Sequence, residues 1–224
     1  YWHEHTGFFG FFECEDDAEV AGALLSTAER WLRERGMDSI RGPMNFSTNG
    51  EIGLLIDGFD LPPAILMPYT HRYYIGLLEG AGYSKCKDLF AWRWQFGPVP
   101  GGPAKIVKDL RSRPEVTVRK VNMKRFREEV RTILDLYNDA WKENWGFVPA
   151  TEAEAAQMAR EFQFIVDPEV VPFVEINGKP AAFALAVPNL NEAIRDLDGK
   201  LFPFGWLKLI WRLKVRRIKS GRLV

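Results

Sequence analysis

The spacing of apolar positions near the start of the chain predicts a strand followed by a helix. Phe8–Phe12 is a short aromatic run that is typical of a buried strand. The next segment has helical spacing, with an N-cap at Asp16 or Asp17 and a stop at Gly36. Its buried face is predicted to consist of Val20, Leu24, Ala28, Trp31 and Leu32.

Three further elements are predicted before a break at residues 97–103. Ser39–Arg41 is predicted as a strand edge, Tyr73–Gly82 as a helix, and Asp88–Phe96 as a strand because its apolar positions alternate. Gly97–Pro103 contains three prolines and three glycines, so we expect a linker without regular structure. This linker would separate two domains, which are residues 1–96 and residues 104–224.

The second half of the chain predicts a specific order of elements. Val116–Val121 alternates as a strand, and apolar residues recur at helical spacing from Phe126 to Trp141. Thr151 and Glu154 form the capping box of another helix, and Asn177-Gly178 predicts a hairpin between two strands. The order strand, helix, helix, strand, strand favours an α+β layer over a doubly wound parallel sheet.

Composition excludes several classes of protein. Thirty basic and thirty acidic residues cancel, so no overall field favours nucleic acid. Cys14 and Cys86 lie far apart, outside any metal-ligand spacing, and are compatible with one disulfide or with two free thiols. The three histidines also lack ligand partners in sequence, and we expect no metal. No apolar run reaches the length of about 18 residues that a transmembrane helix needs. Because the chain starts without Met and without a signal-peptide pattern, we expect it to be an internal piece of a longer protein.

The segment Arg41–Glu51, here called the polar loop, is the strongest candidate for a functional site. It brings amide, hydroxyl and carboxylate groups together within a few residues, on Asn45, Ser47, Thr48, Asn49 and Glu51. Polar loops that are held by rigid elements often bind ligands. The alternative is a series of Asx-type turns in which these side chains satisfy only the backbone of their own loop.

Four short motifs resemble a known family. Gly42–Asn49, Gly58–Asp60, Met67–Tyr69 and Trp145–Pro149 are similar to the YghO-like family, which is grouped with the bacterial ceramide synthases. The order of elements around Asn177-Gly178 resembles the first half of the GNAT acyltransferase fold, and residues 1–96 look like the other part of such a domain. The resemblance implies an α+β fold of tandem GNAT-like domains, with mixed, largely antiparallel sheets flanked by helices and cut at both ends.

The resemblance also implies a reaction. Members of the GNAT superfamily use acyl-CoA or acetyl-CoA as co-substrate, and the ceramide synthase group N-acylates sphingoid or other lipid-like amines. GNAT domains hold the coenzyme A pyrophosphate in a Gly-rich loop, which we expect beyond Val224. The corresponding position in the first half, Glu13–Asp17, carries four carboxylates that would repel a pyrophosphate. The cofactor-binding residues are therefore unknown, and the chain alone is expected to be weakly active or inactive.

Candidate roles follow for individual residues. Glu51 is a candidate general base or amine-orienting residue, and the alternative is a solvated loop carboxylate. Tyr74 is a candidate proton donor, and the alternative is a packing residue with a polar tip. The predicted substrate-binding residues are Asn45, Ser47, Thr48, Asn49, Tyr69, Asn144 and Trp145. Glu175, on the predicted hairpin, is expected to face solvent.

Residues 202–219 bear on partners and location. This basic, aromatic-rich stretch without acidic residues is typical of an interfacial membrane helix, and the alternative is a helix that packs on the sheet. The resemblance implies a small-molecule or lipid amine as substrate, and the neutral net charge implies no nucleic acid. The expected location is cytoplasmic, with peripheral contact at the inner membrane if residues 202–219 bind lipid. The second hypothesis for the whole chain is a non-catalytic module that binds a ligand or a protein partner.

Overall fold

The chain divides into two units, which are described separately. The computed structural model describes residues 2–93, 97–216, 218 and 220–223. Unit 1 comprises the described residues up to Trp92 together with Asn144–Val148. Unit 2 comprises Arg93–Glu143 and the described residues from Pro149 onward. Helices and short strands make up both units, with a parallel strand pair in unit 1 and antiparallel pairs in unit 2, so the predicted α+β class is confirmed.

Unit 1 is built on a pair of parallel strands and two helices. Its elements are β1 (Thr6–Phe8), α1 (Ala18–Arg33), β2 (Ser39–Arg41) and α2 (Tyr73–Gly80). The Asp17 carboxylate caps α1 by accepting hydrogen bonds from the backbone N–H groups of Glu19 and Val20. Gly36, with φ of +77°, adopts the left-handed conformation just after the helix. The predicted N-cap, stop and second strand are therefore confirmed.

The buried face of α1 differs from the predicted one. Ala21, Leu25 and Leu32 are buried, whereas Val20, Leu24 and Trp31 are about half exposed. Apolar residues occupy two adjacent stripes of this helix, so the pattern alone left the choice open. The stripe with the small residue faces inward, because Ala21 allows Tyr74 and Leu77 of α2 to pack closely against it.

Two predicted strands of the first half are wrong. The strand predicted at Phe8–Phe12 lies instead at Thr6–Phe8. After Phe8 the backbone turns away, because the Phe9 N–H donates to the Arg41 carbonyl and the Phe9 carbonyl accepts from the Met44 N–H. Residues 88–93 form no helix or strand, and Phe90 and Trp92 are 75% and 89% exposed. Alternation does not make a strand where no neighbouring strand pairs with it. Residues 94–96 of that prediction lie outside the described part of the chain.

Unit 2 contains the larger set of elements. In chain order they are α3 (Gly101–Ser112), β3 (Val116–Lys120), α4 (Phe126–Trp141), α5 (Glu152–Phe162), β4 (Pro172–Ile176), β5 (Lys179–Phe183), β6 (Ala186–Pro188), α6 (Leu190–Ile194), α7 (Gly205–Trp211) and β7 (Gly221–Leu223). The predicted linker is thus partly helical. Gly101, Gly102 and Pro103 form the first turn of α3, where a proline needs no hydrogen-bonded N–H.

The predicted order of the second half is confirmed. Strands β3, β4 and β5 form an antiparallel sheet, with β4 in the centre. Asn177 and Gly178 both have positive φ, as the tight hairpin turn requires, and Thr151 and Glu154 form the capping box of α5. The core of this unit consists of Val121, Val166, Val171 and Phe173, with side chains of α4 and α5 packed against it.

A pair of glycine substitutions tests the packing of unit 1. A Cβ on Gly10 would lie 2.1 Å from the carbonyl oxygen of Met44, so Gly10→Ala is expected to lower the free energy of unfolding by about 2 kcal/mol or more. Gly22 on α1 has open space around it, and Gly22→Ala is expected to raise the free energy of unfolding by about 0.5–1 kcal/mol. Urea unfolding of both variants measures the difference. Equal stabilities would show that residues 10 and 44 do not approach as described.

Candidate functional site

The polar loop is closed at its base by one asparagine. The Asn45 backbone N–H donates to the Glu51 carbonyl at 2.9 Å, and its side-chain Nδ2 donates to Glu51 Oε2 at 3.4 Å. Asn45 Oδ1 accepts from the backbone N–H of Phe11 at 2.8 Å. Met44 and Ile52 form an antiparallel bridge beside these bonds. Asn45 therefore joins the two ends of the loop and attaches them to the segment after β1.

The tip of the loop is a turn built by Ser47. Its Oγ accepts from the backbone N–H of Asn49 at 3.2 Å, and its carbonyl accepts from Gly50 N–H at 3.0 Å. This is the self-satisfying turn that the sequence offered as the alternative to a binding site. The hydroxyl proton of Ser47 has no acceptor within the described residues.

Thr48 and Asn49 hold a distant segment of the chain. Thr48 Oγ1 donates to the Gly146 carbonyl at 3.0 Å, and Asn49 Nδ2 donates to the Val148 carbonyl at 3.1 Å. Trp2 Nε1 donates to the carbonyl between them, that of Phe147, at 2.6 Å. Three successive carbonyls thus each accept a side-chain hydrogen bond, and the Phe147 side chain is buried. We call Asn144–Val148 the held segment.

The held segment presents the Trp145 indole to two cations. The Arg41 guanidinium carbon lies 5.3 Å from the ring centroid and Lys87 Nζ lies 5.8 Å from it, within cation–π range. Arg41 also pairs with Glu4 at 3.6 Å. Asn144 is exposed, and its carbonyl accepts from Phe147 N–H. The predicted residues of the polar loop and the held segment therefore lie together in unit 1, whereas Arg41, Lys87 and Trp2 were missed because no local pattern links them.

Tyr74 belongs to a different part of unit 1. Its side chain is 2% exposed, and its Oη donates to Glu13 Oε2 at 2.8 Å and accepts from Cys14 N–H at 3.4 Å. Burial, followed by the hydrogen bond to Glu13, raises the pKa of Tyr74 to about 12. The neighbouring Tyr73 donates to the Cys14 carbonyl at 3.0 Å. Glu13 was missed as a partner, since nothing in the sequence pairs it with a residue so far along the chain.

Tyr69 lies at the surface of unit 1. It is exposed, and its Oη donates to the Phe59 carbonyl at 2.7 Å. Within the described residues, no hydrogen bond or ring contact joins Tyr69 or Tyr74 to Glu51. The structure therefore groups Glu51 with the polar loop and places Tyr69 and Tyr74 in separate hydrogen-bonded settings.

Unit 2 contains an ion cluster that the sequence did not predict. Arg119 donates from Nη1 to both oxygens of the buried Glu129, at 3.0 and 2.9 Å, and from Nε to Glu175 at 2.6 Å. Its guanidinium also lies over the Phe173 ring. The expectation that Glu175 faces solvent is wrong, because Arg119 holds it. Glu129 could have been noticed, since it lies on α4 between Phe126 and Ile133 at core spacing.

The same cluster lines an open cavity of about 680 Å³. Three of the four cations that line it are paired with carboxylates: Arg119 as above, Lys120 with Glu169, and Arg125 with Glu128. The pKa of Arg119 is raised, mainly by the hydrogen bond to Glu175 and further by the hydrogen bond to Glu129. Paired charges and a stacked guanidinium indicate that the cluster fixes the β3–β4–α4 packing of this unit.

Two general properties hold for residues 2–93, 97–216, 218 and 220–223. No three His, Cys, Asp or Glu side chains in these ranges come close enough to hold a metal ion. None of the helices in these ranges is both long enough and apolar enough to cross a membrane.

These features define an α+β protein with a braced polar loop in unit 1 and a helix-covered antiparallel sheet in unit 2. Among curated proteins, the chain is similar to Protein YghO of Escherichia coli (strain K12), with 43% identity over 220 residues. It is also similar to Bacterial ceramide synthase of Caulobacter vibrioides (strain NA1000 / CB15N), with 46% identity over 219 residues. Each alignment covers 97% of this chain and 56% of the relative.

Identity of this level over almost the whole chain makes the two proteins homologues of it, and they support the resemblance to the YghO-like family. The chain spans about half the length of the curated relatives it matches. No protein-family profile and no solved structure matches the chain. The GNAT assignment therefore stays a prediction.

The first prediction for this site concerns the held segment. Thr48→Val keeps the side-chain shape but removes the donor to Gly146, which is expected to cost about 0.5–1.5 kcal/mol of local stability. Hydrogen exchange of the residue 144–148 amides is expected to become faster in the variant. Thr27→Val is the matched control, because its hydroxyl bonds only within α1. Unchanged exchange in Thr48→Val would contradict the bracing role.

The second prediction concerns Tyr74 and pH. Its pKa in the folded protein, about 12, lies above the ordinary value near 10. Above pH of about 10 the unfolded chain loses this proton while the folded chain keeps it. The stabilisation that comes from protonated Tyr74 is therefore fully present below pH of about 10 and is lost as the pH approaches 12. Denaturant unfolding at several pH values is expected to show a weaker alkaline loss in Tyr74→Phe. Tyr69→Phe, at an exposed site, is the control and should keep the parental slope.

Proposed function

We propose that the chain is all or part of an N-acyltransferase that transfers an acyl group from acyl-CoA to a lipid-like amine. The observation that carries this proposal is the 46% identity with a protein named Bacterial ceramide synthase. Ceramide formation joins an acyl group to the amine of a sphingoid base. The proposal includes a GNAT type of fold for tandem domains, residues 1–96 and residues 104–224.

The proposed reaction needs a group that accepts a proton. The amine nitrogen attacks the thioester carbonyl, a C–N bond forms and a base takes the amine proton. The C–S bond then breaks, and the base returns that proton to the departing sulfur, so coenzyme A leaves as the thiol. Glu51 suits this role because it is exposed and, within the described residues, its carboxylate accepts a hydrogen bond only from the Asn45 amide, at 3.4 Å. No lysine or arginine among the described residues pairs with it. We propose Glu51 as the base or as the residue that orients the amine.

The rest of the polar loop supports this proposal by holding Glu51 in place. Asn45 bonds to the Glu51 backbone and side chain, so it fixes where the carboxylate lies. Ser47 keeps a hydroxyl proton for a substrate oxygen, whereas Thr48 and Asn49 already donate to the held segment. Trp145 is partly exposed and offers apolar surface beside the loop. Direct substrate contacts from these residues, and from Asn144 and Tyr69, are part of the proposal.

For Tyr74 we propose hydrogen bonding in place of proton transfer. A phenol whose pKa is about 12 holds its proton more tightly than a thiol with an ordinary pKa near 8.5. Protonation of a leaving thiolate by Tyr74 would therefore be unfavourable. The geometry supports a phenol that stays protonated and positions the Glu13 carboxylate through the 2.8 Å bond.

One observation favours the second candidate function, a non-catalytic binding module. In unit 1 the start of α1 is occupied by the Asp17 carboxylate, which accepts from Glu19 N–H and Val20 N–H. A phosphate group at that helix start would compete with this cap and meet the carboxylates of Glu13, Glu15 and Asp16. Unit 1 is therefore poorly suited to hold coenzyme A in the usual GNAT manner.

The function is tested by turnover. The 224-residue chain, and any longer natural protein that contains it, are incubated with acyl-CoA of several chain lengths and a sphingoid base, and the amide product is measured by mass spectrometry. Glu51→Gln is expected to lower turnover by roughly 10²–10⁴-fold because it removes the proposed base. Glu79→Gln, an exposed carboxylate on α2, is the matched control and should keep parental turnover.

The outcomes separate the two candidate functions. Product formation with equal rates in Glu51→Gln and the parent would remove Glu51 from the mechanism but keep the reaction. Absence of product, together with absence of acyl-CoA binding in calorimetry for both proteins, would overturn the enzyme proposal and favour the binding module.

A further inference from the structure

The helix at the end of unit 2 exposes a row of large apolar side chains. Residues 206, 207, 210 and 211 of α7 lie at helical spacing on one side, and each is 42–51% exposed; they are Trp206, Leu207, Ile210 and Trp211. We call these four residues the exposed stripe. Just before the helix, Phe202 and Phe204 are 85% and 72% exposed. Such a contiguous apolar surface is unusual on a protein that contacts only water.

The opposite side of the helix is fixed to unit 2. Leu209 and Leu213 are partly buried, and Arg212 donates to the Ala193 carbonyl and to both oxygens of Asp196. Lys208 also donates to Asp196 at 2.7 Å. These charge-assisted bonds, from Arg212 first, hold the pKa of the Asp196 carboxyl well below its usual range. The helix therefore cannot easily roll to hide the exposed stripe.

The segment that carries the stripe contains charged residues of one sign, of which Lys208 and Arg212 pair with Asp196. From Gly199 to Val224 the sequence contains eight lysines and arginines and no aspartate or glutamate. Within the described residues, Lys200 and Arg216 have no carboxylate partner, and Lys214 donates only to the Phe164 carbonyl. A surface that combines exposed tryptophans with unpaired cations is complementary to an anionic lipid surface.

We propose that the exposed stripe, with Phe202 and Phe204, docks on an anionic membrane surface and inserts its aromatic rings among the lipid headgroups. The Trp206 Nε1 proton is already donated to the Pro203 carbonyl at 3.0 Å, so that ring enters an apolar layer without losing a hydrogen bond to water. A protein partner or a second copy of the chain would not require the surplus of cations. The inference is independent of the proposed acyl transfer.

Vesicle flotation tests this docking without any acyl donor or amine. The 224-residue chain is mixed with phosphatidylcholine vesicles, or with vesicles of phosphatidylcholine and phosphatidylglycerol, at low and high salt. We expect it to float with the anionic vesicles, and to float less at high salt because the cations are screened. Ile210→Ser with Trp211→Ser is expected to weaken binding by about tenfold or more, because both side chains are removed from the buried contact.

A matched pair of substitutions controls for general loss of apolar surface. Ile106 and Leu110 on α3 are also large, apolar and exposed, and Ile106→Ser with Leu110→Ser should keep parental binding. Circular dichroism verifies that both double variants fold. Absence of binding to anionic vesicles, or an equal loss in the control pair, would overturn the proposal. So would a concentration-dependent dimer of the parent that the Ile210/Trp211 variant abolishes, because the stripe would then bind a second copy.

A second measurement separates insertion from simple attraction of charges. Vesicles with brominated acyl chains quench tryptophans that enter the bilayer. We expect quenching in the parent and a clear loss of it in Trp206→Phe with Trp211→Phe, which should still float with the vesicles because phenylalanine keeps an aromatic ring. Equal quenching in both proteins would show that other tryptophans make the contact, and would overturn the assignment to this stripe.

Discussion

In unit 1 the structure depends on one requirement, which is that backbone N–H and C=O groups need hydrogen-bond partners. Residues 42–72 contain no helix and no strand beyond a single bridge, so most of their N–H and C=O groups cannot pair through regular structure. Side chains of the same region supply partners instead: Ser47 Oγ accepts from Asn49 N–H at 3.2 Å, and Thr70 Oγ1 accepts from Leu55 N–H at 3.0 Å. The same requirement explains why polar residues are concentrated in the loop. It also explains why the carbonyls of the held segment accept hydrogen bonds from side chains.

Helix caps and tight turns were predictable from sequence because they depend only on interactions among a few neighbouring residues. The Asp17 cap, the Thr151–Glu154 box and the Asn177-Gly178 turn are of this kind. Pairings between distant residues were not predictable, since only the folded chain brings them together. The polar loop was found as a candidate site, whereas its bonds to Gly146 and Val148 and the Glu13–Tyr74 pair were not. The prediction of the buried face of α1 was wrong for a related reason, because the packing of α2 determines which of the two apolar stripes is buried.

A side chain that satisfies the backbone is less free to bind a substrate. In the polar loop this distinction divides the candidates: Thr48 and Asn49 have donors engaged by carbonyls, while Glu51 keeps a carboxylate without a cationic partner in the described chain. The loop is thus better described as a support that presents one acidic group than as a row of equivalent ligands. The role of that group in acyl transfer is a proposal, because a fold by itself does not determine a reaction.

The held segment has a consequence for how the protein is made. Asn144–Val148 belongs to unit 1 although the chain between Arg93 and Glu143 belongs to unit 2. The carbonyl acceptors for Trp2, Thr48 and Asn49 are therefore synthesised well after the rest of unit 1. At translation rates of roughly 5–20 residues per second, the nascent unit 1 waits on the order of seconds with its polar loop incompletely braced. During that interval the ribosome-bound chain exposes the apolar surface that will later receive Phe147.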